Sequence, residues 1–141
     1  MSVRQTSMRI QKEEHLERCR RLLEMVKAEK QSGVVLFDRD YILYYTGFAF
    51  VPTERPMAFV MNAQGERRLF VPRLELEHAQ ANAVVDSVDH YPEYPDDPHP
   101  MEVLKQAISG MGLTTAIAAD EDGYPWIFGY RGPSLSELSG A

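Results

Sequence analysis

Apolar residues recur at three- and four-residue intervals near the start of the chain, and short apolar runs follow. The first pattern predicts an amphipathic helix over residues 9–30, with an apolar face formed by Leu16, Cys19, Leu22, Leu23 and Val26. Gln31-Ser32-Gly33 interrupts this pattern, and Gly33 is suited to cap the helix at its carboxyl end. The run Val34–Phe37 is uniformly apolar, which predicts a short strand that is buried on both faces.

The middle of the chain alternates between strand and helix patterns. Tyr41–Tyr45 reads as a short strand or an extended turn. Met57–Met61 and Arg68–Val71 predict a β-hairpin, in which Gly65 can adopt a positive φ. Pro72 then opens a helix that reaches about Ala83, and Val84–Tyr91 predicts another strand.

The last third repeats the alternation after a proline-rich acidic connection over residues 92–100. The apolar residues of Met101–Met111 have helical spacing, and this run ends near two glycines. Thr115–Ala119 predicts a strand. Ser134 and Glu137 have the spacing of a capping box. The alternation predicts an α/β fold with a mixed β-sheet flanked by helices. We expect a single domain over residues 9–141 and a flexible tail over residues 1–8.

Composition narrows the class of protein. The chain has 141 residues, of which 44% are hydrophobic and 26% charged, and this is ordinary globular composition. Cys19 is the single cysteine, so an internal disulfide is impossible. We expect Cys19 to act as a small apolar residue on a helix face. We also expect a cytoplasmic protein. No apolar run is typical of a membrane span or a secretory signal.

Charge argues against nucleic acid as a partner. Residues 1–30 contain eight Lys/Arg and five Asp/Glu, so their balance is +3, but acidic residues are interleaved with the cations. The remaining seven Lys/Arg and sixteen Asp/Glu give residues 31–141 a balance of −9, which would repel a polyanion.

Two carboxylate clusters follow predicted strands, one at Asp38 and Asp40 and one at residues 120–122. Carboxylates at strand ends can hold Mg²⁺ for phosphatase or nuclease chemistry, or they can cap backbone N–H groups in polar turns. The sequence favours caps, because no glycine-rich phosphate loop accompanies either cluster. A third polar group belongs to the proline-rich connection, where we expect solvated side chains: Asp89, His90, Asp96, Asp97 and His99.

The segment from Ser32 to Val60 resembles part of a known protein family. An apolar strand, the turn Tyr-Tyr-Thr-Gly-Phe at residues 44–48, a loop containing Arg55 and a second apolar run follow one another. This order resembles the amino-terminal domain of the creatinase/prolidase/aminopeptidase P metallohydrolases. The resemblance implies a mixed sheet with a ribonuclease-H-like motif, placed before a separate catalytic domain that binds Mn, Co or Zn. It implies no catalytic and no metal-binding residue in this chain.

The same resemblance implies a role in substrate binding. In creatinase-like enzymes an arginine in this loop binds the substrate carboxylate in the active site of a neighbouring subunit, and Arg55 stands at the matching place. Phe48 and Phe50 are the accompanying substrate-binding candidates. Thr53 replaces the aromatic residue of creatinases, which argues against creatine as the substrate.

The resemblance also implies an inactive domain that supports a homo-oligomer, with a dimer expected. The parent enzyme would hydrolyse a C–N bond of an Xaa-Pro peptide or a small amidino compound. An apolar face awaiting a partner is expected from Tyr44, Phe48, Phe50 and Trp126. The alternative is a free-standing binding domain of the same fold without a catalytic partner.

Overall fold

The computed structural model of the protein describes residues 11–49, 56–92, 99–114, 116–121, 123, 126–127, 130–131 and 134–135. The helices are α1 (Lys12–Ala28), α2 (Arg39–Thr46), α3 (Leu76–Asn82) and α4 (Pro100–Gly110), and a 3₁₀ turn (Arg73–Glu75) precedes α3. The main strands are β1 (Gly33–Leu36), β2 (Ala58–Asn62), β3 (Arg67–Pro72), β4 (Ser87–Tyr91) and β5 (Ile117–Ala119). Two further short strands, β6 (Trp126–Ile127) and β7 (Tyr130–Arg131), pair with each other.

The five main strands form one mixed sheet in the order β4-β3-β2-β1-β5. The three central strands are antiparallel neighbours, whereas β4 and β5 run parallel to β3 and β1, respectively. The mixed sheet with flanking helices confirms the predicted fold class. Within the described residues, no helix is long and apolar enough to cross a membrane.

Apolar clusters cover both faces of strand β1, whose successive side chains point to opposite sides of the sheet. On one side, Val34 and Leu36 belong to a cluster that also contains Cys19 of α1 and Ile42 of α2. On the other side, Val35 belongs to a cluster with apolar residues of α4. The prediction that the first strand is buried on both faces is therefore confirmed.

The sequence interpretation of residues 41–45 was wrong, because they lie within helix α2. Asp38 caps this helix at its amino end, where its side chain accepts a hydrogen bond from the Asp40 N–H at 2.7 Å. Gly47 ends the helix in the left-handed conformation, with φ of 76°. These two caps stabilise the helix, and they outweigh the strand preference of its aromatic residues.

The predicted cap at Gly33 was also wrong. Lys30 takes the positive φ after α1, and the Gln31 N–H bonds to the carbonyl of Val26. Gly33 is instead the first residue of β1. An added Cβ at Gly33 would lie 2.6 Å from the Met61 carbonyl oxygen, so this glycine permits close packing of neighbouring strands.

Most other predicted elements are present. The hairpin joins β2 and β3, with φ of 89° at Gly65, and the helices and strands predicted further along correspond to α3, β4, α4 and β5. Ser134 is buried and Leu135 is helical, whereas the other half of the capping box, Glu137, lies outside the described residues. The predicted tail over residues 1–8 also lies outside them.

Candidate functional site

The carboxyl end of α2 precedes the loop in which the sequence places its substrate-binding candidates. The last four carbonyls of a helix have no partner within that helix, so other groups must supply their donors. The Gly47 N–H donates to the carbonyl of Leu43 at 2.9 Å. The Val84 N–H, which follows α3, donates to the carbonyl of Thr46 at 2.8 Å.

Helix α1 supplies the donors for the two remaining carbonyls. His15 and Arg18 both bond to the Tyr44 carbonyl oxygen, with Nδ1 and Nη1 each at 2.9 Å from it. The Cys19 Sγ lies 3.5 Å from the carbonyl oxygen of Tyr45. Because a carbonyl can only accept, the bond from His15 places a proton on Nδ1. All four terminal carbonyls of α2 therefore have donors, which fixes the end of this helix.

The Thr46 hydroxyl continues this network into the next turn. It donates to the Ile42 carbonyl at 2.6 Å and accepts from the Phe48 N–H at 3.1 Å. The Phe48 side chain is fully buried, and its ring centroid lies 4.9 Å from that of His78 in an edge contact. The loop therefore begins from a residue anchored in the core.

Pro56, the first residue that the structure describes after position 49, is a second anchor. The Tyr91 hydroxyl donates to the Pro56 carbonyl at 2.9 Å, and Tyr91 is fully buried. Its ring stacks on Phe70 with a centroid separation of 5.0 Å. The chain thus has a fixed residue on each side of positions 49–55.

Of the three predicted substrate-binding residues, the structure describes one. Phe48 is the residue at the first anchor, and within this chain its ring contacts protein rather than solvent. Arg55 and Phe50 lie outside the described residues. Substrate binding by these three residues stays a prediction.

Of the residues predicted to form an apolar face, Tyr44 is exposed and Phe48 is not. Tyr44 is 43% exposed, and the Arg18 guanidinium carbon lies 4.0 Å from its ring centroid. Tyr41 and Leu43 of the same helix are also exposed, whereas the buried Phe48 contributes nothing to an exposed surface. Phe50 and the Trp126 side chain lie outside what the structure describes.

The structure brings the two acidic clusters together, because β1 and β5 are parallel neighbours. The Asp120 carboxylate accepts the backbone N–H groups of Phe37 and Asp38, each at 2.8 Å. Asp38 in turn caps α2. Both carboxylates therefore bind backbone N–H groups, which agrees with the predicted capping role.

Glu121 lies beside this pair. Although Glu121 is exposed, desolvation, followed by repulsion from Asp120 and Asp38, raises the pKa of its carboxyl above the ordinary value. Within the described ranges, no group of three or more His, Cys, Asp or Glu side chains could hold a metal ion. The described residues thus do not fit a metal centre.

Two other polar residues have structural partners. His99 is buried rather than solvated, because its Nδ1 caps α4 by accepting the Met101 N–H at 3.1 Å. Cys19 is buried as predicted, and this burial raises the pKa of its thiol while nearby Arg67 lowers it to a smaller extent.

The sequence interpretation missed Tyr91, which bonds to Pro56, and His15, which bonds to the end of α2. Arg18 and Cys19 lie three and four positions after His15, which is the spacing of one helix face. That spacing was the available signal for a polar contact from α1. Tyr91 offered none beyond its position at the end of a predicted strand.

Comparison with known proteins identifies the family to which this mixed α/β fold belongs. Residues 18–131 match the family model described as the creatinase/prolidase N-terminal domain. The chain belongs to this family, as its resemblance predicted.

Two solved structures support this family assignment. A proline dipeptidase from Streptococcus pneumoniae is 31% identical with a TM-score of 0.61, and the match covers 72% of this chain and 71% of that one. The creatinase/prolidase N-terminal domain of an X-Pro dipeptidase from Streptococcus pyogenes is 25% identical with a TM-score of 0.63, covering 75% and 77% of the two chains.

Two longer relatives match this chain over only a part of their own length. An uncharacterized peptidase of Staphylococcus aureus is 30% identical over 77 residues, which are 53% of this chain and 22% of that protein. A dipeptidase from Mycobacterium ulcerans has the same fold at 19% identity, with a TM-score of 0.69 over 94% of this chain and 34% of its own. The chain thus spans about a third or less of these two longer relatives.

Proposed function

We propose that this chain is the non-catalytic N-terminal domain of an Xaa-Pro dipeptidase-like metallohydrolase and that it shapes the substrate site of that enzyme. The match of residues 18–131 to the creatinase/prolidase N-terminal domain carries this proposal. The names of the streptococcal relatives, a proline dipeptidase and an X-Pro dipeptidase, favour an Xaa-Pro peptide as the substrate of the parent enzyme.

The partner of this domain would be a catalytic domain in the same protein, which would hold divalent Mn, Co or Zn and hydrolyse a C–N bond. The described residues contain no group of three or more side chains that could hold a metal ion, and we propose that the partner domain binds it. Two longer relatives, an uncharacterized peptidase and a dipeptidase, leave room for such a domain beyond the matched region. We further propose a homo-oligomer in the cytoplasm, a dimer in its simplest form, in which the exposed Tyr41, Leu43 and Tyr44 contact a neighbour.

Arg55 would bind the carboxylate of the substrate through paired hydrogen bonds from its guanidinium group. The two anchors support this role, because Phe48 and Pro56 are both buried on either side of the segment that carries Arg55. A segment held at both ends loses less entropy when one of its side chains binds a ligand. Phe48 would act by holding the start of the loop, and Phe50 would contact the substrate.

The proposal is tested by comparing the isolated chain with the full-length protein in Mn²⁺-containing buffer. We expect the full-length protein to hydrolyse an Xaa-Pro dipeptide in preference to creatine, and the isolated chain to hydrolyse neither. Dipeptide hydrolysis by the isolated chain at a rate comparable with the full-length protein would contradict the proposal.

The alternative function is a free-standing binding domain. A small amidino compound as substrate is a second alternative, which the creatine measurement addresses. The reading frame beyond Ala141 separates a binding domain from an enzyme domain. A following segment with the two Asp, one His and two Glu of the family's metal site supports the enzyme, and a stop codon supports the binding domain.

A further inference from the structure

Helix α2 has an exposed face opposite its buried Ile42. Four exposed side chains form this face, which we call the α2 surface: Asp40, Tyr41, Leu43 and Tyr44. Asp40 and Tyr44 are about one helical turn apart and lie along the middle of the α2 surface. Tyr41 and Leu43 lie on its two sides. Three of the four side chains are large and mainly apolar, and tyrosine is enriched at the core of protein interfaces.

The charges around the α2 surface favour a second copy of this chain as its partner. Arg18 of α1 lies over the Tyr44 ring. It belongs to a set of three arginines and three carboxylates that form ion pairs within α1 and within α2: Glu14, Glu17, Arg18, Arg21, Arg39 and Asp40. The charges of this set cancel, whereas the whole chain has a formal net charge of −6. Two copies of an acidic chain repel each other least where the facing surfaces are neutral.

The order of the four residues along α2 is self-complementary. In a twofold contact, each residue of one copy meets a residue of the other, and the axis repeats every contact. An antiparallel pair of α2 helices with the axis at the level of Ile42 brings Tyr41 against Leu43 of the other copy. The same axis brings the Asp40 carboxylate against the Tyr44 hydroxyl, which can donate a hydrogen bond to it. Apolar groups thus meet apolar groups, and an acceptor meets a donor.

We propose that the α2 surface is the contact between two copies of this chain, with the two α2 helices antiparallel about an axis at Ile42. This inference rests on the homo-oligomer in the proposed function and extends it, because it states which residues face one another. Tyr41 faces Leu43 of the other copy, and Asp40 faces its Tyr44. Each of these contacts is present twice in the dimer.

The experiment measures the dimer dissociation constant of the full-length protein by sedimentation equilibrium for Tyr41→Lys, Leu43→Glu and the double variant. Each single substitution places a charge against an apolar residue twice per dimer, and it should raise the dissociation constant about 30-fold or more. In the double variant the introduced lysine and glutamate face each other across the axis, so the dissociation constant should fall again by about tenfold. Residues two positions apart on one helix do not face each other, so this recovery requires a second copy.

Met25→Glu is the matched control, because Met25 is 64% exposed near the carboxyl end of α1 and lies outside the α2 surface. This variant should leave the dissociation constant unchanged. A second measurement avoids charged substitutions. Oxidation of a mixture of Tyr41→Cys and Leu43→Cys proteins should form a disulfide between the two variants, whereas Met25→Cys mixed with either of them should form none.

The outcomes separate this inference from the proposed function. A dimer that neither single substitution weakens would overturn the inference, and the proposed homo-oligomer would then use another surface. Single substitutions that lower the melting temperature but leave the dissociation constant unchanged would show that a catalytic domain of the same protein covers the α2 surface, which also overturns the inference. Weakening without recovery in the double variant would contradict the antiparallel arrangement.

A wild-type protein that is monomeric at every concentration measured would overturn the inference and the proposed homo-oligomer together. The proposed role in an Xaa-Pro dipeptidase would be unaffected by that result, because the dipeptide assay tests it separately.

Discussion

The Asp120 carboxylate accepts the backbone N–H of Asp38 at 2.8 Å, and this bond ties the end of β5 to the cap of helix α2. Asp120 also accepts the N–H of Phe37 at the same distance. One carboxylate thus satisfies two backbone donors more than eighty positions away in the chain. The two acidic clusters that suggested phosphoryl-transfer chemistry form a structural junction instead.

Replacement of Asp120 should therefore destabilise the domain. Asp120→Ala removes two hydrogen bonds to a charged acceptor and leaves two backbone donors unpaired, which should cost about 2 kcal/mol or more in the free energy of unfolding. Urea denaturation measures this loss. The control, Asp40→Ala, removes a carboxylate that is 84% exposed on the neighbouring helix and should cost less than about 1 kcal/mol. Equal losses in the two variants would contradict the junction.

Gly47 offers a second stability test, because Gly112 is a matched control. Both glycines have a positive φ, 76° and 88°, so alanine at either position should cost about 1 kcal/mol in backbone strain. An added Cβ at Gly47 would also lie 2.9 Å from the His15 Nε2, whereas nothing lies within 4 Å at Gly112. Gly47→Ala should therefore be more destabilising than Gly112→Ala by about a further 1–3 kcal/mol. Equal melting temperatures would mean that His15 moves aside without cost.

The Cys19 thiol should be unreactive in the folded domain. Burial raises its pKa, so little thiolate is present near neutral pH, and the side chain is 3% exposed. A thiol-labelling reagent at pH 8 should react with Cys19 only slowly, and rapidly once denaturant is added. Equally fast labelling with and without denaturant would contradict the observed packing of α1 against α2.

Glu121 should make stability depend on pH. Its pKa is raised in the folded state, so the fold disfavours the charged form. The resulting destabilisation is complete above the raised pKa and absent below the ordinary value of the unfolded chain. Glu121→Gln should therefore raise the melting temperature slightly at pH 7, because solvent screens an exposed charge, and this gain should disappear near pH 3. Glu77→Gln, on the exposed side of α3, controls for the loss of one negative charge.

The sequence was informative where a pattern repeats over short distances. The apolar run at Val34–Phe37, the hairpin around Gly65 and the spacing of helix α4 each depend on neighbouring residues, and each predicted element is present. Helix α2 was missed because its tyrosines favour strands. Its helical state depends on local caps and on donors from α1, some 26 to 29 positions earlier.

The candidate site shows the same division between local and distant determinants. The motif Tyr-Tyr-Thr-Gly-Phe at residues 44–48 was visible in the sequence and carried the resemblance to the family. The hydrogen bonds to Tyr44 and to Pro56 were not, because His15 and Tyr91 make them from elements distant in the chain. No spacing rule relates Tyr91 to Pro56, since the pairing depends on the order of the strands in the sheet.

The most direct test of the account is the effect of Arg55→Ala on kcat/KM of the full-length protein for an Xaa-Pro dipeptide. Arg39→Ala is the matched control, since Arg39 lies on the surface of α2 beside Asp40 and should not affect catalysis. We expect Arg55→Ala to lower kcat/KM about 100-fold, equivalent to 2–3 kcal/mol for a desolvated charged hydrogen bond, with the melting temperature little changed. Unchanged kinetics together with a large loss of stability would show that Arg55 is a structural ion-pair partner and would contradict the account.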